Sequence, residues 1–299
     1  MEAIQQKPQI TPALRSLLEE LIDYAGLFPP AGLAMQSAVA NYAHYKTGKH
    51  SWMLGRLVVP VARLTEFEQA WRAMGEPSDW QLSALVAKPE SELPAAKDFN
   101  AKHAGKLKID ALEVKASTVE EIGKLTIPAA TLAYVEIPVA QDPVRLVAAI
   151  KSAGLRAKIR TGGLTADMFP DAAVIARFVR RCFESGVAFK ATAGLHHPLR
   201  CAKPFTYEPG SAVGKMHGFL NVFLAVAYAL RGMPVDFLAH LLLEENAREF
   251  HFNEDGLQWG GQTLTAAEIE SARRDFGIAF GSCSFEEPIS DLQSLGLLP

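Results

Sequence analysis

Cysteine is scarce in this chain: among 299 residues only Cys182, Cys201 and Cys283 occur, an odd number with no metal-like spacing. That excludes a disulfide framework and a zinc ribbon, and it suits a reducing cytoplasm. Long apolar runs are missing too. The longest, 219–230, is interrupted by Asn221 and is too short to span a bilayer. The opening residues carry no charged segment followed by an apolar stretch, so neither a secretion signal nor a membrane anchor is expected. Neither sign of charge dominates: 30 Lys and Arg face 33 Asp and Glu, for a net charge of −3. No basic block stands out, which speaks against nucleic acid and anionic membrane as partners. Low-complexity tracts and long Ser/Gly linkers are absent as well, so nothing marks a domain boundary.

What is present is apolar material for a large core, with 49% hydrophobic and 21% charged residues. Mean hydropathy is near zero. This is the composition of a soluble, cytoplasmic globular protein whose partner is a small molecule, with a homo-oligomer left open.

The opening helix is well signalled. Thr11 can cap it, Pro12 suits its first position, Leu14, Leu17, Leu18, Leu21 and Ile22 follow helical spacing, and Gly26 stops it. Short apolar runs then alternate with longer helical patterns. The runs at 56–61, 80–86, 109–115, 131–139, 155–161 and 187–192 read as strands, at a spacing that βα repeats produce. A seventh unit falls at 217–223, as a strand or the first turn of a helix, and the eighth is obscure. Residues 249–252 and 257–259, around Asp255-Gly256, read as a hairpin. The expected architecture is one α/β domain over 1–299, a TIM-type (β/α)8 barrel with an N-terminal helical segment at 1–50 and a C-terminal extension at 265–299. A doubly wound sheet is the alternative, but no G-x-G-x-x-G supports it.

Strand residues alternate between the helix-facing side and the barrel interior, so parity sorts each strand into two sets. The apolar parity leaves Glu113 and Lys115, Tyr134 and Glu136, Arg156, Lys158 and Arg160, and Lys190 and Thr192 pointing inward. Burying unpaired charge costs several kcal/mol per ion, so these groups must pair, and packed aliphatic residues would often serve stability as well. Charges at the C-terminal ends of barrel strands therefore point to chemistry.

Two strand ends repeat one arrangement. Lys158-Ile159-Arg160-Thr161-Gly162-Gly163 sets a glycine pair after charged residues, where backbone N–H groups can approach an anion. Phe189-Lys190-Ala191-Thr192-Ala193-Gly194-Leu195-His196-His197 follows with a lysine, a hydroxyl and a glycine.

Over about 155–195 the chain resembles the class I aldolases, and among them the deoxyribose-phosphate aldolase family. There a strand ending I-E-T-G is followed by a helix and by A-D-F-V-K-T-S-T-G; here Ile159-Arg160-Thr161-Gly162 precedes Val187-Ala188-Phe189-Lys190-Ala191-Thr192-Ala193-Gly194. The resemblance implies a carbon–carbon lyase, with Lys190 forming a Schiff base with the substrate and no cofactor. Such a lysine needs a pKa lowered by burial and a nearby cation, which Lys158 and Arg160 would supply. Glu136 or Glu113 would move the protons. Arg160, Lys115 and the Gly162 and Gly163 amides would hold a substrate carboxylate or phosphate, with Thr192, Gly194, His196 and His197 lining the site.

Two other readings remain. His196 and His197 with Glu113, Glu136 or Glu208 could hold zinc, manganese or iron. A barrel that only binds a small anion is the non-enzymatic reading. Cys283 has no identifiable base beside it in the sequence and reads as buried filler. Glu286, Glu287 and Asp291 read as the solvated start of a helix near Pro288.

Overall fold

The structure is a computed structural model describing residues 10–128 and 131–299; the expected N-terminal segment before residue 10 lies outside the described residues. Eight parallel strands close into a barrel: β1 (Ile22–Tyr24), β2 (Leu54–Pro60), β3 (Trp80–Leu85), β4 (Leu107–Lys115), β5 (Leu132–Glu136), β6 (Arg156–Arg160), β7 (Phe189–Thr192) and β8 (Gly277–Ser282). Neighbours follow chain order, and β8 returns to β1 with Asp23 beside Gly281. The α/β, TIM-type barrel expected from the sequence is the observed fold. The helices are α1 (Pro12–Leu18), α2 (Met35–Thr47), α3 (Leu64–Ala73), α4 (Pro89–Lys102), α5 (Val119–Gly123), α6 (Val144–Ser152), α7 (Ala172–Glu184), α8 (Phe219–Leu230), α9 (Val235–Leu243), α10 (Ala266–Asp275) and α11 (Glu286–Ser294). Among the described residues no helix is long and apolar enough to cross a membrane.

The first and last barrel strands depart from expectation. Thr11 caps α1, accepting from the Leu14 amide at 3.4 Å, but the helix stops at Leu18 and Glu20 turns the chain with φ +47°. Leu21 and Ile22, although in helical register with Leu14 and Leu18, thus lead into and begin β1. At the other end, Gly277–Ser282 lies inside the stretch expected as a C-terminal extension, yet it closes the barrel. Residues 217–223 are no strand: Gly218 precedes α8, whose apolar residues are buried all round. The expected hairpin is present as His251–Phe252 against Gly256–Trp259, extended by a third strand, Gln262–Thr265.

The main core lies between strands and helices, as the parity argument requires. Ala157, Ile159 and Val135 are fully buried on the outer side of β6 and β5. On β7, Phe189 meets Phe178 of α7 edge-on with ring centroids 5.2 Å apart, and stacks toward Phe223 of α8. Each such side chain contributes about 1.5–3 kcal/mol of burial energy. The barrel interior, by contrast, is polar through its depth. Arg56 of β2 holds Asp110 of β4 through two hydrogen bonds of 2.7 and 2.8 Å, and Arg156 of β6 donates to the Tyr134 hydroxyl at 3.1 Å.

Candidate active site

The parallel register places the inward charges of neighbouring strands side by side: Lys115 beside Glu136, Glu136 beside Lys158, and Lys158 beside Lys190. From these positions the side chains form one alternating chain of charge. Lys190 Nζ lies 2.6 Å from Asp23 Oδ2 and also contacts Glu113 Oε1. Lys158 Nζ lies 2.7 Å from Glu113 Oε2 and 2.9 Å from Glu136 Oε2. Lys115 Nζ ends the chain 3.4 Å from Glu136 Oε1. Asp23, Glu113, Lys158 and Lys190 are 1–3% exposed, so they form a buried, charge-balanced core. Further hydrogen bonds hold the carboxylates: Ser83 Oγ donates to Glu113 at 2.6 Å, and the Arg56 amide donates to Asp23 Oδ1 at 2.6 Å.

Above this core lies a cavity of about 360 Å3 at the C-terminal end of the barrel, with all eight strands or the residues just past them contributing to its wall. Glu113, Lys115, Glu136, Lys158, Arg160, Thr192, Gly194, His196 and Cys283 line it, together with an apolar rim that includes Phe28, Pro29, Leu164 and Met168. The sequence-expected residues therefore converge, but not all in the expected roles.

Lys190 is not part of that lining, and its environment is the reverse of the one expected. Burial opposes its charge, but the carboxylates of Asp23 and Glu113 outweigh burial and hold the ammonium above the ordinary lysine range. The lowering expected from Lys158 and Arg160 is thus corrected: Asp23 and Glu113 both contact the Lys190 ammonium, and Glu113 stands between it and Lys158. Glu113 shows the converse. Burial would raise its pKa, yet Lys158 and Lys190 hold it well below the usual carboxylate range. Glu136 is lowered in the same way, against burial, by Lys158 with help from Lys115 and Arg160.

At the rim, the Lys115 side chain is 71% exposed and is free to meet a ligand. Arg160 is exposed and donates from Nε to the Gly162 carbonyl at 3.1 Å. Of the glycine pair, only Gly163 lines the cavity. Gly162 serves to bring two loops together. A Cβ there would sit 2.8 Å from the Gly194 Cα and 2.5 Å from the Phe169 ring, so the loops after β6 and β7 touch through two bare backbones. Thr161 Oγ1 fastens the second loop by donating to the Ala193 carbonyl at 2.7 Å, where Ala193 and Gly194 both have positive φ.

The adjacent histidines diverge. His196 faces the cavity wall, with Nδ1 3.0 Å from Glu287 Oε2, whereas His197 is buried against Asp291 at 2.6 Å and does not line the cavity. The side chains grouped for a metal do not come together: the histidines meet carboxylates of α11, not Glu113, Glu136 or Glu208. Among the described residues no group of three or more His, Cys, Asp and Glu is arranged to hold a metal ion. Glu287 and Asp291, expected as a solvated helix start, are thus histidine partners. Cys283 is not isolated filler, since its Sγ lies 4.0 Å from His196 Nδ1 and 3.8 Å from the Tyr207 hydroxyl. His196 feels opposing influences. Burial disfavours its charge, but Cys283 and Glu287 outweigh burial and raise its pKa to about 9.

Asp23, Ser83, Tyr207 and Glu287 are the site residues that sequence reasoning missed. For Asp23 a signal existed: it is the one charge in Leu21-Ile22-Asp23-Tyr24, and parity would have turned it inward had the run been read as a strand. Tyr207 comes from a loop and Glu287 from the first turn of α11, both distant in sequence from the strand ends, and no local pattern announces them. No family model, no curated protein and no solved structure matches this chain.

Proposed function

We propose that this protein is a carbon–carbon lyase of the aldolase kind, acting through a lysine Schiff base on a small carbonyl compound that carries an anionic group. The observation that carries the reading is that Lys158 lines the cavity and has its Nζ 2.7 Å from one carboxylate and 2.9 Å from a second. In this reading Lys158 takes the imine-forming role that the resemblance implies for Lys190. Lys190 stays protonated beneath it and fixes Glu113.

Lys158 attacks only as the free amine, so its proton must first move to a neighbour. Glu136 is placed to take it. Lys115 and Arg160 help to hold that carboxylate ionised; a substrate anion paired with these cations cancels their effect and makes Glu136 a better base. Anion binding thus prepares the nucleophile. The amine adds to the carbonyl carbon, one of its N–H protons passes to the oxygen to give the carbinolamine, and Glu136 returns its own proton to that hydroxyl, which leaves as water. The resulting iminium accepts the electron pair released when the neighbouring carbon–carbon bond breaks. A barrel that merely binds an anion fits less well, because both buried lysines already have carboxylates for partners.

The test is borohydride trapping with small aldehydes, ketones and 2-oxo acids, read by intact mass and peptide mapping. A substrate-sized adduct is expected on Lys158 in the wild type and in Lys190→Arg, and none in Lys158→Arg. An adduct on Lys190 would reverse the two roles, and no adduct from any carbonyl would end the Schiff-base reading.

A further inference from the structure

A second proton-handling group, unrelated to the lysine chain, stands in the wall of the same cavity. Glu287 Oε2 accepts from Tyr207 OH at 3.0 Å and lies 3.0 Å from His196 Nδ1. Three separate segments supply these residues: the loop after β7, the loop between the antiparallel strands Cys201–Pro204 and Val213–Met216 that follow it, and the first turn of α11. Fixing one ring nitrogen on a carboxylate sets the orientation of the imidazole. Among the described residues Nε2 has no hydrogen-bond partner, and His196 is one of the residues that line the cavity. A carboxylate that orients a histidine beside a reaction space is the arrangement of a general acid–base pair.

We infer that His196, positioned by Glu287, is the acid that protonates the new alkoxide when a carbon–carbon bond is formed, so that the substrates are a carbonyl donor held on Lys158 and an acceptor aldehyde near His196. This rests on the Schiff-base reading of Lys158. The enamine carbon on Lys158 attacks the aldehyde carbon, and the electron pair of the aldehyde π bond moves to its oxygen. That oxygen takes the proton from His196 Nε2, and water then releases the β-hydroxy carbonyl product from the iminium. Cleavage runs the same steps backward, with neutral His196 taking the hydroxyl proton. The Glu287 carboxylate faces the imidazole from α11 and favours its acid form near neutral pH; the other titratable groups around it are Cys283, just past β8, Tyr207 across Glu287, and His197 next in the chain.

The test compares wild type, His196→Gln and Glu287→Gln, with pyruvate, hydroxyacetone and acetaldehyde as donors and glyceraldehyde as acceptor. Borohydride trapping of the donor reads the lysine step, and mass spectrometry of the condensation product reads the second. His196→Gln is expected to trap donor within about threefold of wild type while condensation falls about 100-fold or more. Glu287→Gln is expected to move the high-pH limb of condensation to lower pH, because the carboxylate that sustains the imidazolium is gone. Condensation by His196→Gln within threefold of wild type would overturn the inference and leave the lysine reading standing. So would a wild-type adduct that gives no product with any pair. No wild-type adduct would remove the lysine reading and this inference with it. Should His196→Gln fail to fold, an unmoved limb in Glu287→Gln overturns the inference by itself.

Discussion

Lys158 and Lys190 are held by opposite oxygens of one carboxylate: Lys158 Nζ lies 2.7 Å from Glu113 Oε2, and Lys190 Nζ contacts Oε1. Two like charges on neighbouring strands, level in register, would repel each other in a medium of low dielectric. Glu113 turns that repulsion into a bridge, and Asp23 and Glu136 balance the outer sides of the two ammonium groups. The pair is divided by access: Lys158 reaches the cavity and Lys190 does not.

Glu113→Gln keeps the shape of the bridge and removes its charge. Two buried ammonium groups would then share only Asp23 and Glu136, and breaking such a buried network costs about 3–5 kcal/mol. Urea unfolding should show that loss. Glu113→Gln with Lys190→Met should recover part of it, because the second change removes one of the uncompensated cations. Equal stability of Glu113→Gln and wild type would show that the bridge does not hold the interior together.

The acid limb of stability follows from the same carboxylate. Glu113 has a folded-state pKa below its unfolded value, so its contribution is complete above about 4.3 and is lost as pH falls toward the folded value. In that range the unfolded chain binds more protons, and stability falls with falling pH. Denaturant titrations from pH 6 down to pH 3 should give a shallower slope in Glu113→Gln than in wild type.

On the alkaline side His196 dominates the expectation. Its folded pKa is raised to about 9, so its contribution is complete below the unfolded value of about 6.5 and disappears as pH climbs through about 9. Stability measured between pH 6 and 10 should decline over that window in wild type and stay flatter in His196→Gln. A histidine NMR titration that places His196 at or below 6.5 would contradict the role of Glu287.

The six middle strands were legible as short apolar runs at βα spacing, and in β4–β7 the alternation of apolar and charged residues also turned Glu113, Glu136, Lys158 and Lys190 inward. The outer two strands were not. β1 has only three residues, and its apolar positions continue the helical spacing of α1. The break between them is a backbone turn at Glu20, which no residue type there announces. β8 reads Gly-Ile-Ala-Phe-Gly-Ser, with glycines where β-branched residues would signal a strand. The site suffered the same division. Groups on alternating strands were found, while Asp23 was lost with β1, and the His196–Glu287 pair depends on a loop and a helix that meet only after the barrel closes.

Gly162→Ala tests how the two loops over the site are joined. Its Cβ would lie 2.8 Å from the Gly194 Cα, where backbone has little room to move, so the loops after β6 and β7 must part. Overpacking of this kind costs about 1–3 kcal/mol. Arg160 and Gly163 would shift with the first loop, so KM for an anionic substrate should rise more than kcat falls. Gly163→Ala meets Met168 instead; its Sδ and Cε can swing away, but its Cβ would lie 2.8 Å from the new methyl, so this change should also strain the loop.

Arg273 on α10 closes the bottom of the barrel where its first and last strands meet. Its buried guanidinium donates to the carbonyls of Leu17 at 2.8 Å and Glu19 at 3.0 Å, just before β1, and to those of Gly277 and Ile278 in β8. β1 has only three residues and β8 carries Gly277 and Gly281, so the arginine adds a main-chain connection at this seam. Arg273→Met retains most of the volume and leaves four carbonyls with fewer donors. At about 1–3 kcal/mol for each buried group left unsatisfied, the loss should exceed that of Gly162→Ala. Hydrogen exchange should localise it, with faster exchange at Ala25 and Phe280, whose amides bond across the β1–β8 seam, and little change across β4–β6. Uniform acceleration over the whole barrel would instead mean that the seam does not open separately from the remaining strands.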